Sequence, residues 1–386
     1  MTIVDNRRNW TFGILLFTVL GILLRLTGLS YEAVDYLECV VPWFEDIKAI
    51  GNITALAEYE GSYNIFYITI IYFLTLLPLP AIVSVKLVSV LFDYLAVAVL
   101  TAFVYDAAPP ERRYRYSLVA YAVLICCPTA VINSGYMAQC ESIWAGLGLL
   151  SFYLIRKGHP VWGMLSFGCA LAMKPQGVFI LPILLIDWFY SRRYSIFHLL
   201  WIPVAIQLIS IPAMIGGSEW YVFYRFFRQM AGQYPYVYYY YPNFWTYLQD
   251  APYYVFGKVA IFSAMIALLL FAVLFVRAKS HDSRDYLEAI SYTSMTCAMI
   301  LPCMHERYNF MGELALVACS VITPRYRVPA LLLILASTQC YGQAYLGWFW
   351  VPHELLAAVN IAVYLYVAYR SMSVLWRTSG EKEVCV

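Results

Sequence analysis

Four consecutive residues, His305-Glu306-Arg307-Tyr308, interrupt a long apolar stretch with a histidine, a carboxylate and a guanidinium side by side. Ionisable side chains are costly to place at a membrane boundary and usually mark a functional site there. His305 can hydrogen-bond a phosphate oxygen, and Arg307 offers phosphate a charged two-pronged fork. The tetrapeptide therefore indicates a binding site for a charged, lipid-linked substrate at the outer face of a membrane.

Three further pairs of polar residues stand at the ends of apolar runs and complement this chemistry. The pairs are Asp35 with Glu38, Gln139 with Glu141, and Lys174 with Gln176. A carboxylate such as that of Asp35 can take a proton from an attacking hydroxyl group, and Lys174 can hold a phosphate as a point charge. Together with His305 and Arg307, these groups suit displacement at a sugar carbon with a lipid phosphate as the leaving group.

Each of these side chains also has a structural interpretation, which the sequence leaves open. Asp35 and Glu38 could be solvated loop charges, His305 a satisfied interfacial histidine, Glu306 the partner of a neighbouring arginine, Lys174 a residue reaching the interface, and Gln139 and Glu141 caps of the next helix. Arg225 and Arg228, three residues apart, could bind a donor phosphate or lipid headgroups. Asp93, inside an apolar run, predicts a buried partner.

The composition identifies the class of protein to which these residues belong. Of the 386 residues, 62% are hydrophobic and only 12% are charged, whereas about 25% are charged in soluble domains. The apolar runs recur along the whole chain, and an alternating strand pattern does not dominate, which predicts an all-α, polytopic membrane protein. The net charge of +2 gives no indication of a nucleic-acid partner.

About twelve apolar segments predict transmembrane helices, some of them interrupted by Pro or Gly. They lie near residues 10–29, 86–105, 117–133, 142–155, 160–173, 177–190, 196–215, 254–276, 286–301, 311–322, 328–346 and 355–372. The first follows Arg7-Arg8 and lacks a convincing cleavage site, so we expect it to be a membrane anchor.

The basic residues decide the orientation and the status of a further apolar segment, Asn64–Leu79. If this segment does not cross the membrane, most of the 25 lysines and arginines fall on one side, in stretches near residues 7–8, 112–115, 156–157, 192–193, 277–284, 325–327 and 370–382. The positive-inside rule assigns that side to the cytoplasm. We therefore expect both termini in the cytoplasm and 64–79 as an interfacial or half-inserted helix.

This topology predicts one membrane-embedded domain over residues 1–386, with large outer loops at about 30–85 and 216–253. The first loop is acidic, and the second holds a tyrosine-rich stretch, residues 234–242, that could stack on sugar rings or close over lipid. The polar pairs and the tetrapeptide all fall on the same outer face. A shared cavity is the simplest interpretation of this convergence.

Several short elements carry a resemblance to a known family. They are Asp35 followed by Pro42-Trp43, Tyr63-Asn64, Lys86-Leu87 with Asp93, Ala138-Gln139-Cys140-Glu141, Lys174-Pro175-Gln176, and His305 to Tyr308. Over roughly residues 10–325, their order and membrane placement resemble the GT-C class of integral-membrane glycosyltransferases, especially bacterial proteins related to the PIG-V-type (GPI second) mannosyltransferase. The chain departs from that group at Ala138 and Glu141, where the group has Gly and Asp, and at Ile65, where a proline is often found.

The resemblance implies an activity and a role for each site residue. A hexose, with mannose favoured, would pass with inversion from a polyprenyl-phosphate-linked donor to a glycan, lipid or protein acceptor, and Asp35 would be the catalytic base. We expect Lys174, His305, Arg307, Arg225 and Arg228 to bind the donor phosphate, and Glu38, Gln139, Glu141, Gln176, Glu306 and Tyr308 to bind substrate. A cell-envelope polysaccharide enzyme of the bacterial cytoplasmic membrane, with an extracytoplasmic site among membrane lipids, fits this description.

Two other classes of protein remain open. A transporter or flippase for a lipid-linked or anionic substrate could use the same cations and broken helices, but it usually has two related halves, and the sequence has no such symmetry. A non-catalytic subunit of an envelope complex is the other alternative. We expect no cofactor and no required metal, because a lipid monophosphate leaving group needs less charge neutralisation than a nucleotide diphosphate.

Overall fold

The computed structural model describes residues 7–230, 234–278 and 280–380, and this part of the chain is largely helical. It contains no β-strand, only the isolated bridges Tyr236–Pro252 and Tyr238–Met304. The prediction of an all-α protein is confirmed for these residues. Lys279 and Lys382, two of the basic residues used to predict the orientation, lie outside the described residues, as do residues 1–6 and 381–386 at the termini.

The helices follow one another with short connections. In chain order they are α1 (Arg7–Leu26), α2 (Val41–Ile50), α3 (Ala55–Glu58), α4 (Ile65–Thr75), α5 (Ala81–Ala107), α6 (Arg113–Ile125), α7 (Pro128–Val131), α8 (Glu141–Arg156), α9 (Pro160–Met173), α10 (Leu181–Ser191), α11 (Trp201–Ile215), α12 (Val222–Met230), α13 (Tyr253–Arg277), α14 (Ser283–Ile300), α15 (Phe310–Ile322), α16 (Arg327–Tyr345) and α17 (His353–Gly380). Turns of π-helix occupy Tyr36–Val40 and Ile132–Tyr136, and 3₁₀ turns occupy Pro110–Arg112, Pro175–Ile180, Ile196–Leu200, Phe244–Leu248 and Pro324–Tyr326.

Five helical segments of the described chain are long and apolar enough to cross a membrane. They are α1, α5, Ile196–Ile215 (a 3₁₀ turn continued by α11), α13 and His353–Trp376 within α17. A sixth is obtained if Pro110–Ile125 and Pro128–Tyr136, which are bent by 47°, count as one broken span. The length and composition of these helices support the prediction of a membrane protein. A helix lies at each of the twelve predicted segments, but the others are shorter or less apolar, so the count of twelve stays a prediction.

Prolines break the helices near the polar pairs. The segment predicted at 117–133 bends after α6, because Pro128 lacks an N–H group and cannot continue that helix. Lys174 precedes Pro175 and has extended backbone dihedrals, φ −159° and ψ 145°, which ends α9. These breaks bring polar side chains out of the helical pattern and into the space between helices.

Helix α4, at the ambiguous segment 64–79, is short. Its 11 residues extend about 16 Å, roughly half the thickness of a hydrocarbon core. The Asn64 side chain accepts a hydrogen bond from the backbone N–H of Ile65 at 2.7 Å, and Ile65, Ile68 and Ile71 are fully buried. Its length fits the predicted half-inserted helix, whereas its membrane depth stays a prediction.

Buried charged side chains connect α5 to α1 and to the residues that follow α1. Asp93 of α5 pairs with Arg25 of α1, with Nη2 2.8 Å and Nε 2.9 Å from Oδ2, and neither side chain is more than 3% exposed. Lys86 donates to the carbonyl oxygens of Gly28 and Tyr31 just beyond α1. The expected buried partner of Asp93 is confirmed, and the pair has a structural role because removing one partner leaves a buried charge alone.

The tyrosine-rich stretch packs on the connection between α14 and α15. The N–H of Cys303 donates to the carbonyl of Val237, and the N–H of Tyr241 donates to that of Met304 at 2.9 Å. Cys303 has a positive φ of 61°, a left-handed conformation that reverses the chain just before His305. The tyrosines of the second predicted outer loop therefore lie directly beside the His-Glu-Arg-Tyr tetrapeptide.

Candidate functional site

Arg307 is the centre of a charged cluster of three carboxylates, two from distant parts of the chain and one from its neighbour Glu306. Its Nη2 lies 3.2 Å from Oδ2 of Asp35, its Nε lies 3.3 Å from Oε1 of Glu141, and its Nη1 donates to Oε1 of Glu306. The contact of Nε with Glu141 is an ion pair without hydrogen-bond alignment, since this nitrogen has no hydrogen-bond partner among the residues that the structure describes. Three of the four predicted polar groups meet at this one guanidinium.

The fourth group joins through a buried ion pair between Lys174 and Glu141. Their Nζ and Oε1 atoms are 2.5 Å apart, and the two side chains are 2% and 0% exposed. The ammonium also lies over the rings of Tyr308 and Tyr63, 4.8 Å and 5.3 Å from their centroids. Such contacts stabilise a desolvated cation. Lys174 is therefore a buried member of the cluster, and its ammonium group does not reach the protein surface.

Asp35 lies at the accessible edge of the cluster, just before the π-helical turn Tyr36–Val40. Its Oδ2 accepts hydrogen bonds from Nε2 of Gln139 at 2.9 Å and from the hydroxyl of Tyr345 at 3.1 Å, in addition to the contact with Arg307. Among the described residues no donor is bonded to Oδ1, and the side chain is 40% exposed. One oxygen of this carboxylate is thus held in place, while the other is bonded to no donor of the described chain.

Gln139 lies in the turn that connects the π-helical turn Ile132–Tyr136 to α8, and Glu141 is the first residue of α8. Ala138 in this turn has a φ of 53°, the left-handed region that glycine adopts most readily, and it stands where the resembling motif has glycine. No side chain caps the first turn of α8. The side chains of Gln139 and Glu141 bind partners within the cluster, which favours a place in the site over a capping role.

His305 is enclosed by tyrosine rings. Its Nε2 lies 3.0 Å from the hydroxyl of Tyr234, and its ring is 4.4 Å from that of Tyr239 and 4.8 Å from that of Tyr308. Burial, and then the positive charges of Arg307 and Lys174, lower the pKa of His305 well below its ordinary value. A neutral imidazole can still hydrogen-bond a phosphate oxygen, but it adds no positive charge.

The charges of the cluster sum to a negative value. Burial alone raises the pKa of Glu306, but Arg307 and the Tyr345 hydroxyl outweigh burial and hold this pKa below its ordinary value. With His305 neutral, the carboxylates of Asp35, Glu141 and Glu306 face the two cations of Lys174 and Arg307. Both cations are already paired, so a phosphate group must draw Arg307 or Lys174 away from a carboxylate or arrive as one becomes protonated.

Four predicted site residues lie outside the contacts of this cluster. Glu38 is exposed, and Gln176 is half-buried with its Oε1 atom lacking a hydrogen-bond partner among the described residues. Arg225 pairs with Glu219 at 3.3 Å and lies over the ring of Phe226, and Arg228 is exposed. The donor-phosphate role of the two arginines gains no support from these positions, since neither contacts Arg307 or Lys174 in the described part of the chain.

Tyr345 is the main participant that the sequence did not single out. Its hydroxyl contacts Asp35, donates to Glu306 at 2.6 Å and accepts from Nη1 of Arg307 at 2.6 Å. A tyrosine at the end of an apolar run has the same sequence signal as the interfacial tyrosines of any membrane protein. Tyr345 is distinguished from such interfacial tyrosines by the packing of α16 against the cluster, which the sequence does not reveal.

Comparisons with protein-family models and with curated proteins found no match to this chain. The resemblance to GT-C glycosyltransferases therefore stays a prediction. Among the described residues, no group of three or more His, Cys, Asp and Glu side chains is arranged to hold a metal ion, and whether a metal is required stays a prediction as well.

Proposed function

We propose that the protein is a membrane glycosyltransferase that moves a hexose from a polyprenyl-phosphate donor to an acceptor hydroxyl, with Asp35 as the general base. The observation that carries the proposal is the asymmetry of the Asp35 carboxylate. Oδ2 is fixed by Gln139, Tyr345 and Arg307, whereas Oδ1 has no bonded donor in the described part of the chain. A base needs one oriented oxygen with a free lone pair at the edge of the site.

The proposed step is a single displacement. Oδ1 of Asp35 takes the proton of the acceptor hydroxyl. At the same time the oxygen of that hydroxyl attacks the anomeric carbon from the face opposite the phosphate. The bond between that carbon and the phosphate oxygen breaks, and its electron pair leaves with the lipid phosphate. The anomeric configuration is therefore inverted, as the resemblance implies.

The ion pair between Arg307 and Asp35 couples the two ends of this step. When Asp35 becomes protonated, it no longer neutralises Arg307, and the positive charge of the guanidinium is less compensated as the leaving phosphate gains charge. The buried ammonium group of Lys174 adds to the positive electrostatic potential at the leaving phosphate, and the neutral imidazole of His305 supplies a hydrogen bond. This coupling explains why a site with paired cations could still favour release of a phosphate.

The decisive experiment compares Asp35→Asn with Asp46→Asn in the purified, lipid-reconstituted protein. Asp46 is the matched control, because it belongs to the same predicted outer loop, is exposed and has no role in the proposed site. Mass spectrometry of surface glycans from a deletion strain first identifies the sugar and the acceptor. We expect Asp35→Asn to reduce transfer by about 10²–10⁴-fold and Asp46→Asn to retain it. Wild-type transfer by Asp35→Asn contradicts the assignment of the base.

A further inference from the structure

A cavity of about 410 Å³ lies between the tyrosine-rich stretch and the connection from α16 to α17. Its lining includes Tyr238, Tyr240, Gln249, Gln343, Phe349 and His353, and we call it the Tyr238 cavity. The volume falls within the range of about 300–1,000 Å³ that is typical of small-molecule sites. None of the proposed catalytic contacts involves these residues.

The lining combines flat apolar faces with uncharged hydrogen-bonding groups. Two tyrosines and Phe349 supply aromatic surface, and Gln249 and Gln343 supply amides that both donate and accept. Among the described residues that line the cavity there is no Asp, Glu, Lys or Arg. An ionic ligand would find no opposite charge there, whereas a neutral ring with several hydroxyl groups matches both kinds of surface.

A chain of hydrogen bonds orients the polar groups of the cavity. The amide Nε2 of Gln343 donates to the carbonyl of Val351 at 2.5 Å, so its Oε1 atom accepts from Nδ1 of His353 at 2.9 Å. In the neutral imidazole Nε2 then accepts from the hydroxyl of Tyr238, 2.8 Å away. The Tyr238 oxygen keeps its acceptor capacity for a ligand hydroxyl.

The tyrosine-rich stretch connects the Tyr238 cavity to the charged cluster. Tyr239 packs on His305 with ring centroids 4.4 Å apart, whereas its neighbours Tyr238 and Tyr240 pack on His353 at 6.0 Å and 5.2 Å. On α16, Gln343 belongs to the cavity, and Tyr345, two residues later, contacts Asp35. The two sites are therefore adjacent and share the same supporting segments.

We infer that the Tyr238 cavity binds a neutral sugar ring, and, resting on the proposed function, that this ring belongs to the acceptor. The tyrosine-rich stretch and α16 border the charged cluster on one side, and Tyr345 contacts Asp35 from that side. An acceptor glycan in the cavity lies on this same side. The acceptor class is accordingly a glycan or a glycosylated lipid, and not a bare protein side chain.

Membrane anchoring is the competing explanation for the aromatic residues near the mouth of the cavity. Phe349 and Trp350 are 72% and 73% exposed, and Trp350 stacks on Trp348 with centroids 4.9 Å apart. Exposed aromatic residues commonly lie at a membrane interface. Only Phe349 lines the cavity, so Phe349→Ala and Trp350→Ala form a matched pair that separates sugar binding from anchoring.

The test measures sugar binding directly, by saturation-transfer NMR on the full chain in lipid nanodiscs. The probes are methyl α-mannoside, methyl α-glucoside and methyl β-galactoside, with glucuronate as the charged comparison. We expect at least one methyl hexoside to bind, glucuronate to bind more weakly, and Phe349→Ala to weaken hexoside binding about tenfold while Trp350→Ala leaves it unchanged. Tyr238→Phe, checked for an unaltered melting temperature, is expected to weaken it as well.

Absence of binding by all three hexosides, or equal effects of Phe349→Ala and Trp350→Ala, overturns the inference. The same variants distinguish its failure from that of the proposed function. Transfer activity with an unaltered acceptor KM in Phe349→Ala contradicts the cavity assignment and leaves glycosyl transfer standing. If the protein binds a hexoside in a Phe349-dependent way but transfers no hexose, the cavity is a sugar site and the proposed glycosyltransferase function is contradicted.

Discussion

The guanidinium of Arg307 lies 3.2 Å from the carboxylate of Asp35, so the two ends of the proposed reaction are ion-paired with each other. The proposed base would be held by the same residue that is to receive the leaving phosphate. Arg307 also binds Glu141 and Glu306, and it is 7% exposed. The stability of the site and its chemistry should therefore both depend on this one side chain.

Replacing Arg307 should destabilise the protein strongly. Arg307→Gln leaves the buried Glu306 without its cation and Glu141 with Lys174 alone, and removing one partner of a buried ion pair costs about 3–5 kcal/mol. Arg307→Lys keeps the charge but cannot bridge three carboxylates, so an intermediate loss is expected. Thermal unfolding of the reconstituted protein measures both variants.

Arg225→Gln is the control for this prediction. Its pair with Glu219 is partly exposed, and exposed pairs contribute about 0–1 kcal/mol. A melting temperature for Arg307→Gln as high as that for Arg225→Gln would show that the three carboxylates do not depend on Arg307.

Lys174 and Glu141 should behave as one energetic unit. Lys174→Met or Glu141→Gln alone leaves an unbalanced buried charge, which costs about 3–5 kcal/mol. The double variant removes both charges of a pair that is 2.5 Å apart and at most 2% exposed, so it should lose clearly less than the sum of the single losses. A double-mutant cycle on the free energy of unfolding gives the coupling. Additive losses would contradict a direct pair.

The sequence predicted the helical class, the break at Lys174-Pro175 and the meeting of Asp35, Gln139, Glu141, Lys174 and the tetrapeptide. These predictions succeeded because charged residues and prolines in an apolar chain are rare and therefore informative. The pairing within the cluster was not predictable, since it depends on how α8, α9 and α16 pack. For the same reason Tyr345 was missed, and the donor-phosphate role of Arg225 and Arg228 stays a prediction.

The pH dependence of stability should report the burial of His305. Its pKa in the folded protein is well below the ordinary value of 6.5, so protons bind preferentially to the unfolded chain near that pH. The contribution of His305 is therefore fully present above pH 6.5 and decreases as the pH falls below it, by up to about 1.4 kcal/mol per pH unit. Glu306, with its pKa lowered, contributes stability that is lost only at pH values below 4.5.

His305→Gln tests this prediction, because glutamine hydrogen-bonds but does not titrate. Between pH 6.5 and 5, the free energy of unfolding of the variant should vary less steeply with pH than that of the wild type. Parallel curves would mean that His305 titrates alike in the folded and unfolded chains, and the enclosure by Tyr234, Tyr239 and Tyr308 would then be looser than observed.

Tyr345→Phe should alter the pH profile of transfer and not only its rate. The lost hydroxyl bridges Asp35, Glu306 and Arg307, so its removal takes away the single O–H donor that the two carboxylates share, which lies nearer to Glu306. The Tyr345 hydroxyl helps to lower the pKa of Glu306, so its loss raises that pKa, and the acid limb of kcat/KM should move to higher pH. Tyr366→Phe serves as the control, because its hydroxyl contacts only the backbone of Arg325 at 3.4 Å in the described structure. A reduced rate with an unshifted acid limb would assign Tyr345 a purely structural role and would separate it from the proposed base.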